Sequence, residues 1–236
     1  MKTILTYALL ALSMALGACN EQPSPFDTAL TIMVDETDTL PVYPSVTTLL
    51  TPFKLKEQPW QSLEITALGI EDKDITTAET ITLPKENPIT GNPIIRQARL
   101  ARFAALLQGR LAAIDSVRSR PRSIVFRAVA QQAALLANRT AAHRYLLVYS
   151  DLMEHSNVNF YDPNTRSLLQ TNPAIIEKQM EAEQQLPDLP GVQMWFVYKP
   201  KTYRENNLYM RIARFYERVY TAHHATVHIA TTFELP

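Results

Sequence analysis

Thr31 to Leu40 read "TIMVDETDTL". With Ala29 and Leu30 in front, the first half is a continuous apolar run of strand length, Ala29 to Val34. A strand apolar on both sides belongs in a sheet covered on both faces. The second half turns abruptly to Asp, Glu and Thr, with no Gly or Pro that would make the break a simple turn. The run therefore predicts a buried first strand with "DETDT" at its carboxyl end.

Downstream, the patterns alternate. Tyr43 to Glu57 predicts a broken helix, with Ser45 as N-cap and Pro52 as the interruption. Ser62 to Ile70 and Thr77 to Lys85 are β-branched-rich and six residues apart, which predicts an antiparallel hairpin. Pro84 suits the end of an edge strand. From Asn92, with Pro93 at the first helical position, apolar residues recur at helical spacing until Pro121 closes the segment. Ser123 to Asn138 predicts a second helix, and His143 to Asp151 a second buried strand. A helix capped by Asn172, a strand over Gly191 to Lys199, a long amphipathic helix from Arg204 and a last strand from Thr226 follow. Strands alternating with helices predict an α/β fold. The expected form is a doubly wound, mostly parallel sheet with one antiparallel edge strand and helices on both faces, in three layers.

Upstream, Met1-Lys2 precedes the apolar run "ILTYALLALSMALGA", which has the form of a signal peptide. It ends in "LGAC", Leu16 to Cys19, which resembles the lipobox of bacterial lipoproteins. The resemblance implies cleavage after residue 18 and lipidation of Cys19. Asn20 in the next position implies the outer membrane rather than inner-membrane retention. The expected organisation is a signal peptide over 1–18, a lipidated polar tether over 19–28 and one domain over 29–236. Cys19 is the only cysteine, so no disulfide forms within the chain. The formal net charge is zero, which gives no electrostatic footprint for nucleic acid.

In doubly wound sheets, ligands bind beyond the carboxyl ends of the strands. Asp35, Thr37 and Thr39 stand there at spacing two, so an extended loop turns all three side chains one way. A carboxylate with two hydroxyls is a hard-oxygen set suited to Mg²⁺ or another small divalent cation. Glu36 and Asp38 face the other way at this spacing and read as solvated.

The pattern Asp35-x-Thr37-x-Thr39 resembles the Asp-x-Ser-x-Ser of von Willebrand factor A-type domains, with both serines replaced by threonine. The family's second loop places a Thr just before a helix, and Ser123 in "PRSIVFRAV" matches it. Its third loop places an Asp after the central strand, and Asp151 in "LLVYSDL" matches, with Leu152 where the family usually has Gly. The resemblance implies a metal site of Asp35, Thr37, Thr39, Ser123 and Asp151 holding Mg²⁺ or Mn²⁺. It also implies a protein partner whose acidic side chain completes the coordination, and binding rather than turnover.

Other readings stand beside this one. Asp35, Thr37 and Thr39 also serve as loop caps, and Ser123 as a helix N-cap. Glu154 and His155 read as an ordinary polar loop. His223, His224 and His228 lack the helical pair of a zinc site. "DETDTL" further resembles the Asp-x-Thr-x-Thr-Leu of P-type ATPases and their haloacid dehalogenase relatives, which would make Asp35 a phosphoryl-accepting nucleophile. The later acidic pair of that family has no match here. A metal-free domain acting as a structural subunit of an envelope complex is the remaining alternative.

Overall fold

A computed structural model describes residues 26–36, 40–71, 77–87, 89–116 and 123–235. Signal peptide, Cys19 and most of the tether lie outside the described residues, as do Thr37, Asp38 and Thr39.

The run that opens the sequence forms β1, Thr28–Asp35, buried at every position. β2 (Leu63–Ile70) and β3 (Glu79–Leu83) form the hairpin, and β4 (His143–Tyr149), β5 (Val192–Val197) and β6 (Thr226–Ala230) complete one sheet. Its order is β3-β2-β1-β4-β5-β6. All neighbours run parallel except β2 and β3. β3 is the edge strand; only Ile81 and Leu83 of it are buried, and Pro84 follows it directly. Proline there costs no ladder hydrogen bond.

Successive residues of β1 feed opposite cores, as the period of two requires. Leu30, Ile32 and Val34 pack with Phe53, Phe103, Leu107, Leu111, Tyr149 and Trp195 on one face. Ala29 and Met33 pack with Val129, Ile176, Phe196, Ile212 and Tyr216 on the other. The first face is covered by α1 (Val46–Leu50), a 3₁₀ turn (Thr51–Phe53) and α2 (Pro93–Ser116). The second is covered by α3 (Val125–Ala137), α4 (Pro163–Thr171), α5 (Pro173–Glu183) and α6 (Tyr203–Ala222). The architecture is the expected three-layer α/β fold with one antiparallel edge pair. No described helix is long and apolar enough to cross a membrane.

Local chemistry explains most boundaries. Ser45 caps α1, its Oγ accepting from Thr48 N at 3.1 Å, and Pro52 sits in the 3₁₀ turn that breaks the helix. Asn92 Oδ1 accepts from Ile94 N at 2.9 Å and from Ile95 N at 3.4 Å, ahead of Pro93. Thr202 and Glu205 form a capping box on α6. Two boundaries differ from expectation. α4 is an additional helix, started by Asp162, whose Oδ1 accepts from Asn164 N at 3.0 Å, and by Pro163. Asn172 stands between α4 and α5 but makes no side-chain cap bond. Its backbone, at φ −152° and ψ 69°, lies outside the helical region and separates the two helices.

Candidate functional site

The chain leaves β1 toward β2 on one side and returns to β4 on the other. Strand order therefore reverses between β1 and β4, and the carboxyl ends of these two strands mark the position where doubly wound sheets carry their ligand crevice. The predicted loop residues that are described stand at this point.

Asp35 is the last residue of β1 and only 2% exposed. Its Oδ2 accepts from Ser150 Oγ at 2.7 Å, just past the end of β4. Ser150 Oγ in turn accepts from Leu152 N at 2.8 Å. One hydroxyl thus joins the ends of the two central strands. Asp151 is half-buried, and its Oδ1 accepts from Met153 N at 2.9 Å in a tight side-chain turn. Leu152 between them has φ +61°, the left-handed region, with its side chain wholly buried. A non-glycine residue costs about 1–2 kcal/mol in that conformation. Burying a leucine side chain contributes about 1.5–3 kcal/mol, enough to offset it. The backbone that a glycine would adopt freely after Asp151 is therefore held by a leucine.

Ser123 is buried, two residues before α3, and is not its N-cap. Its Oγ donates to Met153 O at 3.1 Å, and His155 N donates to Ser123 O at 2.9 Å. The loop before α3 is laced to the loop after β4. The N-cap position of α3 is Ile124, which offers no side-chain bond. Glu154 supplies what is missing. Its Oε2 accepts from Phe126 N at 2.7 Å and from Tyr216 OH at 3.2 Å. A carboxylate beside the first free amides of a helix also meets the favourable end of its dipole.

Glu154 is the residue the sequence reading missed. Far from being an ordinary polar loop residue, it is 0% exposed. Burial raises its pKa to about 7; the Phe126 amide, Ser156 and Tyr216 oppose the rise, and the charge of Glu183 adds to it. The signal available in the sequence was indirect. "RSIVFRAV" starts a helix with an apolar residue at the cap position, so its open amides need an acceptor from elsewhere.

Glu36 is also buried rather than solvated. Its carboxyl lies across Gly69 of β2, and a Cβ built on Gly69 would overlap it and stand 2.9 Å from its Cγ. Three further acids thus crowd the same end of the sheet as Asp35: Glu36, Asp151 and Glu154. Their shared field shows in the tyrosines of α6. Burial raises the pKa of Tyr209, and the charge of Asp151 adds to it. Tyr216 is raised by burial first, then by Glu154, with Asp35 contributing.

Of the five expected metal ligands, Asp35, Ser123 and Asp151 are described and come from the three loops that meet at the crevice. Thr37 and Thr39 fall outside the described residues. In chemical type the described set fits a hard cation: two carboxylates, and a Ser123 hydroxyl that gives its proton to a carbonyl and keeps its lone pairs. Among the described residues no group of three or more His, Cys, Asp or Glu is arranged to hold a metal. The three histidines at the chain's end have separate surroundings. His223 faces Glu181 at 3.7 Å, His224 pairs with Asp188 at 2.5 Å, and His228 stacks on Trp195 with ring centres 4.4 Å apart. No protein-family model matches this sequence, and no curated protein is significantly similar to it.

Proposed function

We propose that this is a lipid-anchored envelope protein, held at the outer membrane through Cys19, whose von Willebrand factor A-like domain binds a protein partner at the crevice between β1 and β4. The observation that carries the reading is the convergence of Asp35, Asp151 and Ser123, from three separate loops, on the point where strand order reverses. Asp35, Ser123 and Asp151, with Thr37 and Thr39, would hold Mg²⁺ or Mn²⁺. The bound cation would supply an open coordination position for an acidic side chain of the partner. The protein's own contribution is to fix the oxygens. Ser150 pins Asp35, the Met153 amide pins Asp151, and the Met153 carbonyl orients Ser123.

The same bonds support a second reading. The Asp35–Ser150 and Ser123–Met153 bonds already tie three loops together, which a metal-free structural subunit would also need. Asp35 is 2% exposed and hydrogen-bonded to Ser150, so both the cation and the phosphatase alternative, with Asp35 as nucleophile, require its carboxylate to open toward the ligand.

Thermal melting of residues 20–236 with Mg²⁺ or Mn²⁺ separates the three. A cation that binds only the folded state, at a hundredfold excess over its Kd, adds about 2.7 kcal/mol. For a domain of this size that is a rise on the order of 5–10 °C in Tm. Asp35→Ala and Asp151→Ala are expected to abolish the rise and leave the domain folded. A Tm unmoved by either cation favours the structural reading. Metal-dependent hydrolysis of a phosphate ester, lost in Asp35→Asn, would favour the phosphatase.

A further inference from the structure

The end of the sheet opposite the crevice carries a second feature. The chain enters β1 there, with Asp27 N donating to Ser62 Oγ at 2.7 Å and Asp27 Oδ2 accepting from Ser62 N at 3.0 Å. Beside this entry four large apolar side chains stand in solvent: Trp60 (51% exposed), Ile89 (92%), Ile94 (77%) and Ile95 (48%). Trp60 lies just before β2, and the isoleucines lie on the β3–α2 loop and the first turn of α2. Trp60 lines a groove with Asn87, Asn92 and Pro93, and the three isoleucines stand on the segments that supply those residues, at the rim of the groove.

Singly, exposed apolar residues mean little. Here they are held outward by fixed backbone. Asn87 Oδ1 accepts from Ile89 N at 2.8 Å and Thr90 N at 3.2 Å, and Asn92 Oδ1 accepts from Ile94 N and Ile95 N. Arg96, buried beneath them, donates to Pro84 O at 2.6 Å and to Gln61 O at 3.0 Å. It thereby ties the first turn of α2 to the end of β3 and to Gln61, next to Trp60. Side chains presented on an ordered turn lose little further backbone entropy on docking.

Their position says what they meet. Cys19 is seven residues before Phe26, the first described residue. A fully extended chain of that length reaches about 25 Å, so an acyl group on Cys19 keeps this end of the domain within about 25 Å of the bilayer surface. We propose that the rim of Trp60, Ile89, Ile94 and Ile95 rests in the lipid interface, with the Asp35–Asp151 crevice turned away from the bilayer. This rests on the lipid attachment at Cys19 proposed above. Tryptophan is suited to the position, because its ring is apolar and its N–H finds water or headgroups. β1 is eight residues long, which stands the crevice roughly 25 Å above the rim. The crevice is then open to a partner in the aqueous space.

The chain carries its own reporter. It has two tryptophans, and the other, Trp195, is 2% exposed in the core. The mature lipidated protein is reconstituted into zwitterionic phosphatidylcholine vesicles whose acyl chains are brominated, and into unbrominated ones. Emission from Trp60 is expected to shift blue and be quenched by the brominated chains. Trp60→Phe is expected to lose the quench, leaving the emission of Trp195. Ile89→Glu with Ile94→Glu is expected to weaken the quench while the protein stays in the vesicle fraction. The mass of the N-terminal peptide reads the lipid independently. A lipidated, vesicle-bound protein whose Trp60 is unquenched and open to iodide overturns the docking and leaves the anchor standing. Shielding from iodide without quenching, together with a doubled mass, places a second copy on the rim and overturns it as well. An unlipidated N-terminal peptide overturns both anchor and docking.

Discussion

Glu154 shows how one side chain can hold a site together at a cost that depends on pH. It caps α3 through Phe126 N, meets the hydroxyl of Tyr216, and follows directly on the Asp151 turn. Its carboxyl is wholly buried, and burial lifts its pKa from 4.5 to about 7. The folded state therefore binds this proton more tightly than the unfolded state. Below pH 4.5 the group is neutral in both states and carries no penalty. As pH rises from 4.5 to about 7, stability is lost, and above 7 the loss is complete. A shift of this size corresponds to roughly 3 kcal/mol. Glu154→Gln keeps an acceptor for the α3 amide and removes the titration. Urea unfolding is expected to show the variant gaining on the wild type by about that amount across the window. A difference that stays flat with pH would remove Glu154 as the titrating group. Leu152 beside it combines a left-handed backbone with a buried side chain. The turn that presents Asp151 is thus anchored by packing rather than by the freedom of a glycine.

Between elements, a close fit lies where β1 ends. Glu36 folds back over β2, and Gly69 leaves the space that its carboxyl fills. Gly69 pairs with Val34 in the parallel ladder, one residue before Asp35 meets Ile70. Any side chain at 69 displaces the buried Glu36 carboxyl. Gly69→Ala is expected to destabilise by roughly 1–3 kcal/mol, the usual range for overpacking a filled site. The loss comes from one specific collision, so Glu36→Ala in the same chain should restore most of it. A double-mutant cycle followed by urea unfolding reads this directly. Additive effects of the two substitutions would show that the carboxyl does not occupy that space.

For the whole molecule, the two ends of the sheet divide the work. The carboxyl ends of β1 and β4 gather the acids and hydroxyls, and the amino ends carry the chain entry and the apolar rim. The four exposed side chains of the rim are a small area, and even a single acyl chain gives only reversible membrane binding. Stable attachment is therefore expected to depend on the lipid. In full-length Cys19→Ala the protein is expected to leave the membrane fraction on a high-salt wash. If the variant still sediments with membranes after that wash although residues 1–18 have been removed, the lipid anchor is rejected.

Much of the fold was determined by the sequence alone, because period and punctuation are local. The apolar run of Ala29 to Val34 marks a strand buried on both faces. Ser45, Asn92 and Pro93 start helices where they stand, and Pro84 closes an edge strand. α4 escaped because its nine residues carry a single buried one, Leu169, too little for a periodic signal. At the candidate site, spacing singled out Asp35 and a family resemblance singled out Asp151, but their surroundings were decided in three dimensions. Ser150 reaches an acid 115 residues away, and Glu154 caps a helix that begins 29 residues before it. Whether a polar residue in a loop is solvated or buried depends on which loops the sheet brings together. Glu36 and Glu154 are buried because β1, β2 and β4 end side by side, and that is a property of the strand order, not of any stretch of the chain.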